Sequence, residues 1–136
     1  MPKSKPKVGL LLGDPSGIGP ELVVKLLADP SFDPGADVVV VGDRAVLDRE
    51  AARMGVSLVL QVRDDPAAFD FAAPSTPSLP APIDPLDFTT LPDGEANAMA
   101  GGHTMRILAH ALDLVAAGKI DSVAYAPMNK KAMNLA

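Results

Sequence analysis

The sequence lacks cysteine, long apolar segments and an excess of basic residues, and each absence removes a class of protein. Without cysteine among its 136 residues, the chain has neither a disulfide framework nor a thiolate metal site. No apolar run approaches the roughly 18 residues that a membrane span needs. The net charge of −5 argues against a nucleic-acid surface, which requires clustered Lys and Arg. We therefore expect a cytoplasmic protein with neither a membrane nor a nucleic-acid partner.

The common nucleotide-binding fingerprints are also missing, although a glycine-rich turn stands where they would lie. Residues 13–21, Gly-Asp-Pro-Ser-Gly-Ile-Gly-Pro-Glu, follow the apolar residues 8–12 and precede the apolar residues 22–27. They match neither G-x-G-x-x-G nor G-x-x-x-x-G-K-[ST]. The pattern predicts a strand, a turn and a helix start whose first amides are free to bind a phosphate or carboxylate. It is equally compatible with a plain strand-to-helix turn.

Apolar segments alternate with helical patterns along the first half of the chain. Residues 38–41 are four consecutive valines, as expected for a parallel strand that is buried on both faces. The pattern then predicts a helix over residues 45–54 with Gly55 as its C-cap, and a third strand over residues 56–62. This β-α-β-α-β order predicts an α/β fold with a parallel or mixed sheet flanked by helices.

Seven prolines lie in residues 63–94, where they would break a helix and interrupt a central strand. We expect a surface excursion there, with short edge strands at Leu79 and at residues 86–88. It is either a tolerated insertion or a substrate lid.

The longest predicted helix covers residues 95–117, and it is expected to be ordered only from about His103, because Gly101 and Gly102 weaken its first turns. A strand over residues 122–125 follows, and residues 126–130 form a second strand-to-helix turn. His103 and His110 lie two helical turns apart, about 10 Å, which is too far for one metal ion. We interpret both as ordinary helix residues.

The two strand-to-helix turns are the candidate ligand site, because ligands of open parallel sheets bind beyond the carboxyl ends of the strands. Asp14 is placed to orient a substrate hydroxyl or a cofactor, and Lys130 to hold a phosphate. An Asp before Pro also suits local hydrogen bonds within a turn. Ser16 has no histidine near it in the sequence, which argues against a nucleophile. The candidate cleft residues are Asp14, Ser16, Gly17, Asn129 and Lys130.

Residues 13–21 resemble the N-terminal motif of the 4-hydroxythreonine-4-phosphate dehydrogenase family of vitamin B6 synthesis. Residues 126–130, Ala-Pro-Met-Asn-Lys, are similar to that family's Ala-Pro-Ile/Leu-Asn-Lys segment. Two positions depart from the pattern: Tyr125 stands where members often carry Thr, and Lys131 replaces an acidic or small residue.

The resemblance implies an isocitrate/isopropylmalate dehydrogenase-like fold, truncated here, because residues 130–136 read as a helix start without a stop signal. It further implies a homodimer, NAD or NADP as hydride acceptor, and a divalent metal (Zn, Mg or Co). The metal would be held by histidines beyond this chain, and neither His103 nor His110 matches a ligand position. By itself the chain is expected to be inactive.

The implied reaction is oxidation, with following decarboxylation, of 4-phosphohydroxy-L-threonine or a related phosphorylated hydroxy acid in pyridoxal phosphate biosynthesis. Two alternatives stay open. Relatives with similar motifs oxidise threonate or erythronate 4-phosphate, or aromatic cis-dihydrodiol acids. A reading from another class is a non-catalytic α/β domain that uses residues 13–19 to bind an anion.

Overall fold

Five short strands form one parallel sheet in the computed structural model, which describes residues 4–82, 86–87, 91 and 94–136. The strands are β1 (Lys7–Leu11), β2 (Asp37–Gly42), β3 (Leu60–Val62), β4 (Thr76–Pro80) and β5 (Ser122–Tyr125), in the spatial order β3-β4-β2-β1-β5. The helices are α1 (Gly19–Ala28), α2 (Arg44–Met54), α3 (Ala98–Ala116) and α4 (Lys130–Leu135), with a 3-10 turn at Pro66–Ala68. The four strand pairings are parallel, which confirms the predicted α/β architecture.

The valine run of β2 is buried on both faces of the sheet, as its unbroken apolar sequence predicted. Val39 and Val41 belong to one apolar cluster, which α3 completes with Ile107 and Leu114. Val40 points the other way, because successive side chains of a strand alternate between faces. It joins a second cluster, built on α1 and α2 with Val23, Val24, Val46, Leu47 and Ala51.

The proline-rich stretch supplies an interior strand, so the prediction of an edge strand at Leu79 is wrong. β4 lies between β2 and β3, and Leu79 is buried. The backbone tolerates two prolines here because neither meets a pairing partner on the side where its N–H is missing. The ladder with β2 begins only at Ser78, after Pro77, and the ladder with β3 ends at Ser78, before Pro80. The N–H of Ala81 then bonds the Gly42 carbonyl at 3.2 Å.

The third strand is shorter than residues 56–62, since it covers only Leu60–Val62. Among the residues that the structure describes, β3 pairs with β4 alone, and β4 begins opposite Leu60, so the earlier residues have no ladder to join. Of the predicted strand at 86–88, Leu86 and Asp87 are in neither helix nor strand, and residue 88 lies outside the described residues. Within the described part of the chain, no helix has the length and apolar character needed to cross a membrane.

Helix α3 begins at Ala98, five residues earlier than the glycine pair suggested, so that expectation is wrong. Asn97 caps it, because the Asn97 Oδ1 accepts the N–H of Ala100 at 2.8 Å. Gly101 is required for packing: a Cβ at this position would clash with the carbonyl group of Ala132 in α4. The close approach of α4 compensates for the low helix propensity of glycine.

Candidate functional site

The two strand-to-helix turns singled out in the sequence meet at one edge of the sheet. β1 and β5 are parallel neighbours, so the turns that follow them leave the same edge. The N–H of Asp14 donates to the Pro127 carbonyl at 3.1 Å. Gly13 has a φ of 79°, and a Cβ there would clash with the carbonyl oxygens of Pro127 and Ala126. Glycine is therefore what lets the two turns touch.

The turns line an open cleft of about 570 Å³. The structure brings all five candidate residues to it, and adds a third segment that precedes α3. Asp14 and Lys130 lie on a common rim, as predicted; their contact with a ligand stays a prediction. The lining residues are Asp14, Ser16, Gly17, Ile18, Gly94, Glu95, Pro127, Met128, Asn129, Lys130 and Lys131.

Asp14 has one carboxylate oxygen engaged within its own turn and one without a partner. It is 3% exposed, and its Oδ1 accepts the N–H of Ser16 at 2.7 Å. The local hydrogen bond that an Asp before Pro suggests is therefore present. The Oδ2 is buried and has no hydrogen-bond partner among the described residues. Leaving a buried acceptor unsatisfied costs about 1–3 kcal/mol, so this oxygen favours a ligand that brings a donor.

Ser16 ties the first turn to the start of α3. Its Oγ accepts the Nδ2–H of Asn97 at 3.0 Å, and its carbonyl accepts the N–H of Gly94 at 2.6 Å. The hydroxyl is thus hydrogen-bonded to an amide rather than to a general base. Ser16 therefore joins the first turn to the segment before α3, and its role toward a ligand stays a prediction.

Asn129 and Lys130 have different positions at the second turn: Asn129 caps a helix and Lys130 lines the cleft. Asn129 is the N-cap of α4, because its Oδ1 accepts the N–H of Ala132 at 3.0 Å. Lys130 and Lys131 are exposed on the cleft, where they add positive charge. Across the cleft, Ile18 is the N-cap of α1 and makes no side-chain capping hydrogen bond, so the first-turn amides of α1 are not covered by its side chain. Both features suit an anionic group.

His103 is a buried residue of α3 with a carboxylate partner, which its interpretation as an ordinary helix residue did not include. It is 2% exposed, and its Nε2 lies 3.3 Å from the Oδ2 of Asp43. The Asp43 Oδ1 caps α2 by accepting the N–H of Ala45 at 2.9 Å. The hydrogen bond from His103 lowers the pKa of Asp43 below its usual value, against the opposing effect of burial.

Among the described residues, no three His, Cys, Asp or Glu side chains converge on a point that could hold a metal ion. The signals that the sequence reading missed are the Asp43–His103 pair and the segment at Gly94 and Glu95. Asp43, directly before a helix start, is recognisable as an N-cap, but its pairing with a residue 60 positions away is not a local signal.

The chain is similar in sequence to proteins that are named dehydrogenases. The family model of the pyridoxal phosphate biosynthetic protein PdxA matches residues 35–136. The chain is 35% identical over 130 residues to the D-threonate 4-phosphate dehydrogenase of Pectobacterium atrosepticum, covering 95% of this chain and 39% of that protein. It is 33% identical over 132 residues to the 4-hydroxythreonine-4-phosphate dehydrogenase of Desulfosudis oleivorans, covering 97% and 38%.

Solved structures of dehydrogenases also have a similar fold. A 4-hydroxythreonine-4-phosphate dehydrogenase from Burkholderia phymatum superposes with a TM-score of 0.82 at 28% identity, over 98% of this chain and 39% of that one. A terephthalate 1,2-cis-dihydrodiol dehydrogenase from Burkholderia xenovorans gives a TM-score of 0.69 at 30% identity, over 98% and 37%. The chain thus spans about two fifths of the proteins it matches.

The fold is an α/β unit with a cleft at the carboxyl edge of its sheet, and the relatives that it matches are named dehydrogenases. Its fold is isocitrate/isopropylmalate dehydrogenase-like, as expected. The chain belongs to the PdxA family.

Proposed function

We propose that the full-length protein is an NAD(P)-dependent dehydrogenase of 4-phosphohydroxy-L-threonine, and that this chain forms one wall of its active site. Two relatives support the substrate class, since they are named for the 4-phosphates of hydroxythreonine and threonate. Oxidation would be followed by decarboxylation, within pyridoxal phosphate biosynthesis. From the family resemblance we further propose a cytoplasmic homodimer, and no activity for this chain alone.

The observation that carries the proposal is the pairing of an unsatisfied buried carboxylate oxygen with a cationic rim in one cleft. The Asp14 Oδ2 can accept a hydrogen bond from a hydroxyl or amino group. Lys130 and Lys131 lie on the other turn of the same cleft and offer ammonium groups to a phosphate. A small molecule with a hydroxyl at one end and a phosphate at the other fits both requirements.

The residues of this chain would orient the substrate. Asp14 would hold a hydroxyl or amino group, and its fixed position in the turn between Ser16 and Pro127 means that little ordering is needed on binding. Lys130 would hold the phosphate. The family resemblance also implies a divalent metal, and we propose that residues beyond this chain hold it.

Steady-state kinetics of the full-length protein test the proposal, with NADH or NADPH formation as the signal. We expect turnover of 4-phosphohydroxy-L-threonine, with D-threonate 4-phosphate as the rival substrate because of the relative named for it. An unphosphorylated analogue should be a poor substrate. If no phosphorylated hydroxy acid is oxidised with either nucleotide, while the folded protein still binds inorganic phosphate, the dehydrogenase proposal is wrong and a binding domain replaces it.

Substitution of Lys130 by Met tests the phosphate contact. A lost charge-assisted hydrogen bond of about 1.5–3 kcal/mol corresponds to a KM for the phosphorylated substrate that rises about 10- to 100-fold. The matched control is Lys119→Met, since Lys119 is also exposed but does not line the cleft. Equal KM values for the two variants would remove Lys130 from the site.

A further inference from the structure

Three strand-to-helix turns at this edge of the sheet are all tied to the first turns of α3. Asn97 bonds Ser16 in the turn after β1 at 3.0 Å. Gly101 receives the backbone of Ala132, at the start of α4 after β5. His103 bonds Asp43, in the turn after β2, at 3.3 Å. Three residues within one seven-residue stretch, Asn97, Gly101 and His103, therefore connect the start of α3 to the chain that follows β1, β5 and β2.

The ties at Gly101 and His103 lie on opposite sides of α3. Residues two positions apart in an α-helix are separated by about 200° around its axis. The helix is consequently held between the turn that precedes α2 on one side and α4 on the other. Its roll about its own axis is then fixed, and the roll decides where Asn97 meets Ser16 and where Ala132 meets Gly101.

The His103 side chain is buried and hydrogen-bonded, which suits a residue that holds two elements together. This side chain is 2% exposed, and its Nδ1 has no hydrogen-bond partner among the described residues. Within that part of the chain, the side chain therefore makes its polar contact through Nε2, with Asp43. The same Asp43 oxygen also accepts the N–H of Leu86 at 3.4 Å. His103 does not line the cleft. Any effect on a bound ligand must act through the turns.

We propose that His103 is a positioning residue for the cleft: by bonding Asp43 it sets the roll of α3 and thereby the relative placement of Ser16 and the start of α4. The proposal rests on the proposed function for its kinetic consequence only. Loss of the bond leaves the apolar face of α3 packed on the sheet, through Ile107 and Leu114. The fold is retained and the two walls of the cleft shift relative to each other.

Three single substitutions in the full-length protein separate positioning from packing. His103→Gln places an amide N–H near the position of Nε2 and retains the bond, whereas His103→Asn is too short to reach Asp43. Asp43→Ser keeps the cap on α2, because serine is an equally good N-cap, but it cannot reach His103. We expect kcat/KM for the phosphorylated substrate to fall about 10- to 100-fold in His103→Asn and Asp43→Ser. His103→Gln should stay within about threefold of the wild type.

The double variant His103→Asn/Asp43→Ser should be no worse than either single variant, because both remove the same bond. Kinetic additivity of the two losses would overturn the proposal. So would an unchanged kcat/KM in His103→Asn, or a His103→Gln variant that is folded by circular dichroism but as impaired as His103→Asn.

Hydrogen–deuterium exchange supplies a readout that does not depend on turnover. Faster exchange at residues 16–17 and 130–133 is expected in His103→Asn and not in His103→Gln. If the wild type oxidises no substrate, the proposed function fails, and the exchange pattern alone decides the positioning role. Identical exchange in His103→Asn and wild type would overturn it.

Discussion

The adjacent glycines of α3 should respond to alanine with opposite signs. Gly101→Ala puts a Cβ into the carbonyl group of Ala132, which belongs to backbone and cannot rotate away. Gly102→Ala places its Cβ 3.3 Å from the Nη1 of Arg106 and 3.6 Å from the Cβ of Ala136. The first of these neighbours is the end of a flexible side chain, and the second contact is of ordinary length.

The expected difference in stability between the two variants follows from two contributions. Replacing a helical glycine by alanine contributes about 0.5–1 kcal/mol to both variants. Overpacking costs about 1–3 kcal/mol, and it applies to Gly101→Ala alone. The propensity term cancels in the difference, so Gly102→Ala should be more stable than Gly101→Ala by about 1–3 kcal/mol. Because the clash is with backbone, we expect the upper half of that range.

Urea unfolding followed by circular dichroism measures this difference directly. With a slope of about 1–3 kcal/mol per molar urea, the two midpoints should differ by about 1 M. Gly102→Ala should lie above the wild type and Gly101→Ala below it. If Gly101→Ala proves as stable as Gly102→Ala, α4 does not pack on α3 as described.

Three further predictions concern the turns and the capping carboxylate. Gly13→Ala should destabilise the fold more than Gly55→Ala. Both glycines have positive φ, which costs alanine about 1–2 kcal/mol, but of the two only Gly13 lies against the backbone of Pro127. Equal losses of stability in thermal unfolding would contradict this contact. Asp43 has a lowered pKa in the folded protein, so its contribution to stability is present above the unfolded pKa near 3.8 and is lost as the pH falls through the lower folded pKa. The difference in unfolding free energy between the wild type and Asp43→Ser should therefore shrink below about pH 4. A difference that does not change with pH would refute this linkage. Asp14→Asn should lower kcat/KM of the full-length protein by about 10-fold or more, since an acceptor becomes a donor; unchanged kinetics would remove Asp14 from the substrate site.

Local patterns were sufficient where each element depends on its own residues. The valines of β2, the capped helix α2 with Gly55 in the left-handed region, and the strand at residues 122–125 all lie where the sequence indicates. Proline and glycine misled the interpretation where a neighbour changed their meaning. Pro77 and Pro80 are compatible with β4 only because the two ladders are offset, and Gly101 is a packing site for α4.

The sequence by itself determined that a glycine-rich turn and an Asn-Lys turn each follow a strand of a parallel sheet, which assigns both to one edge of that sheet. Only the tertiary structure decided that β1 and β5 are neighbours, that Gly94 and Glu95 form a third part of the cleft, and that His103 meets Asp43. The reason is physical: hydrogen bonding along an element and side-chain periodicity are properties of nearby residues, whereas strand order and buried polar pairs depend on which distant segments bury the most apolar surface together.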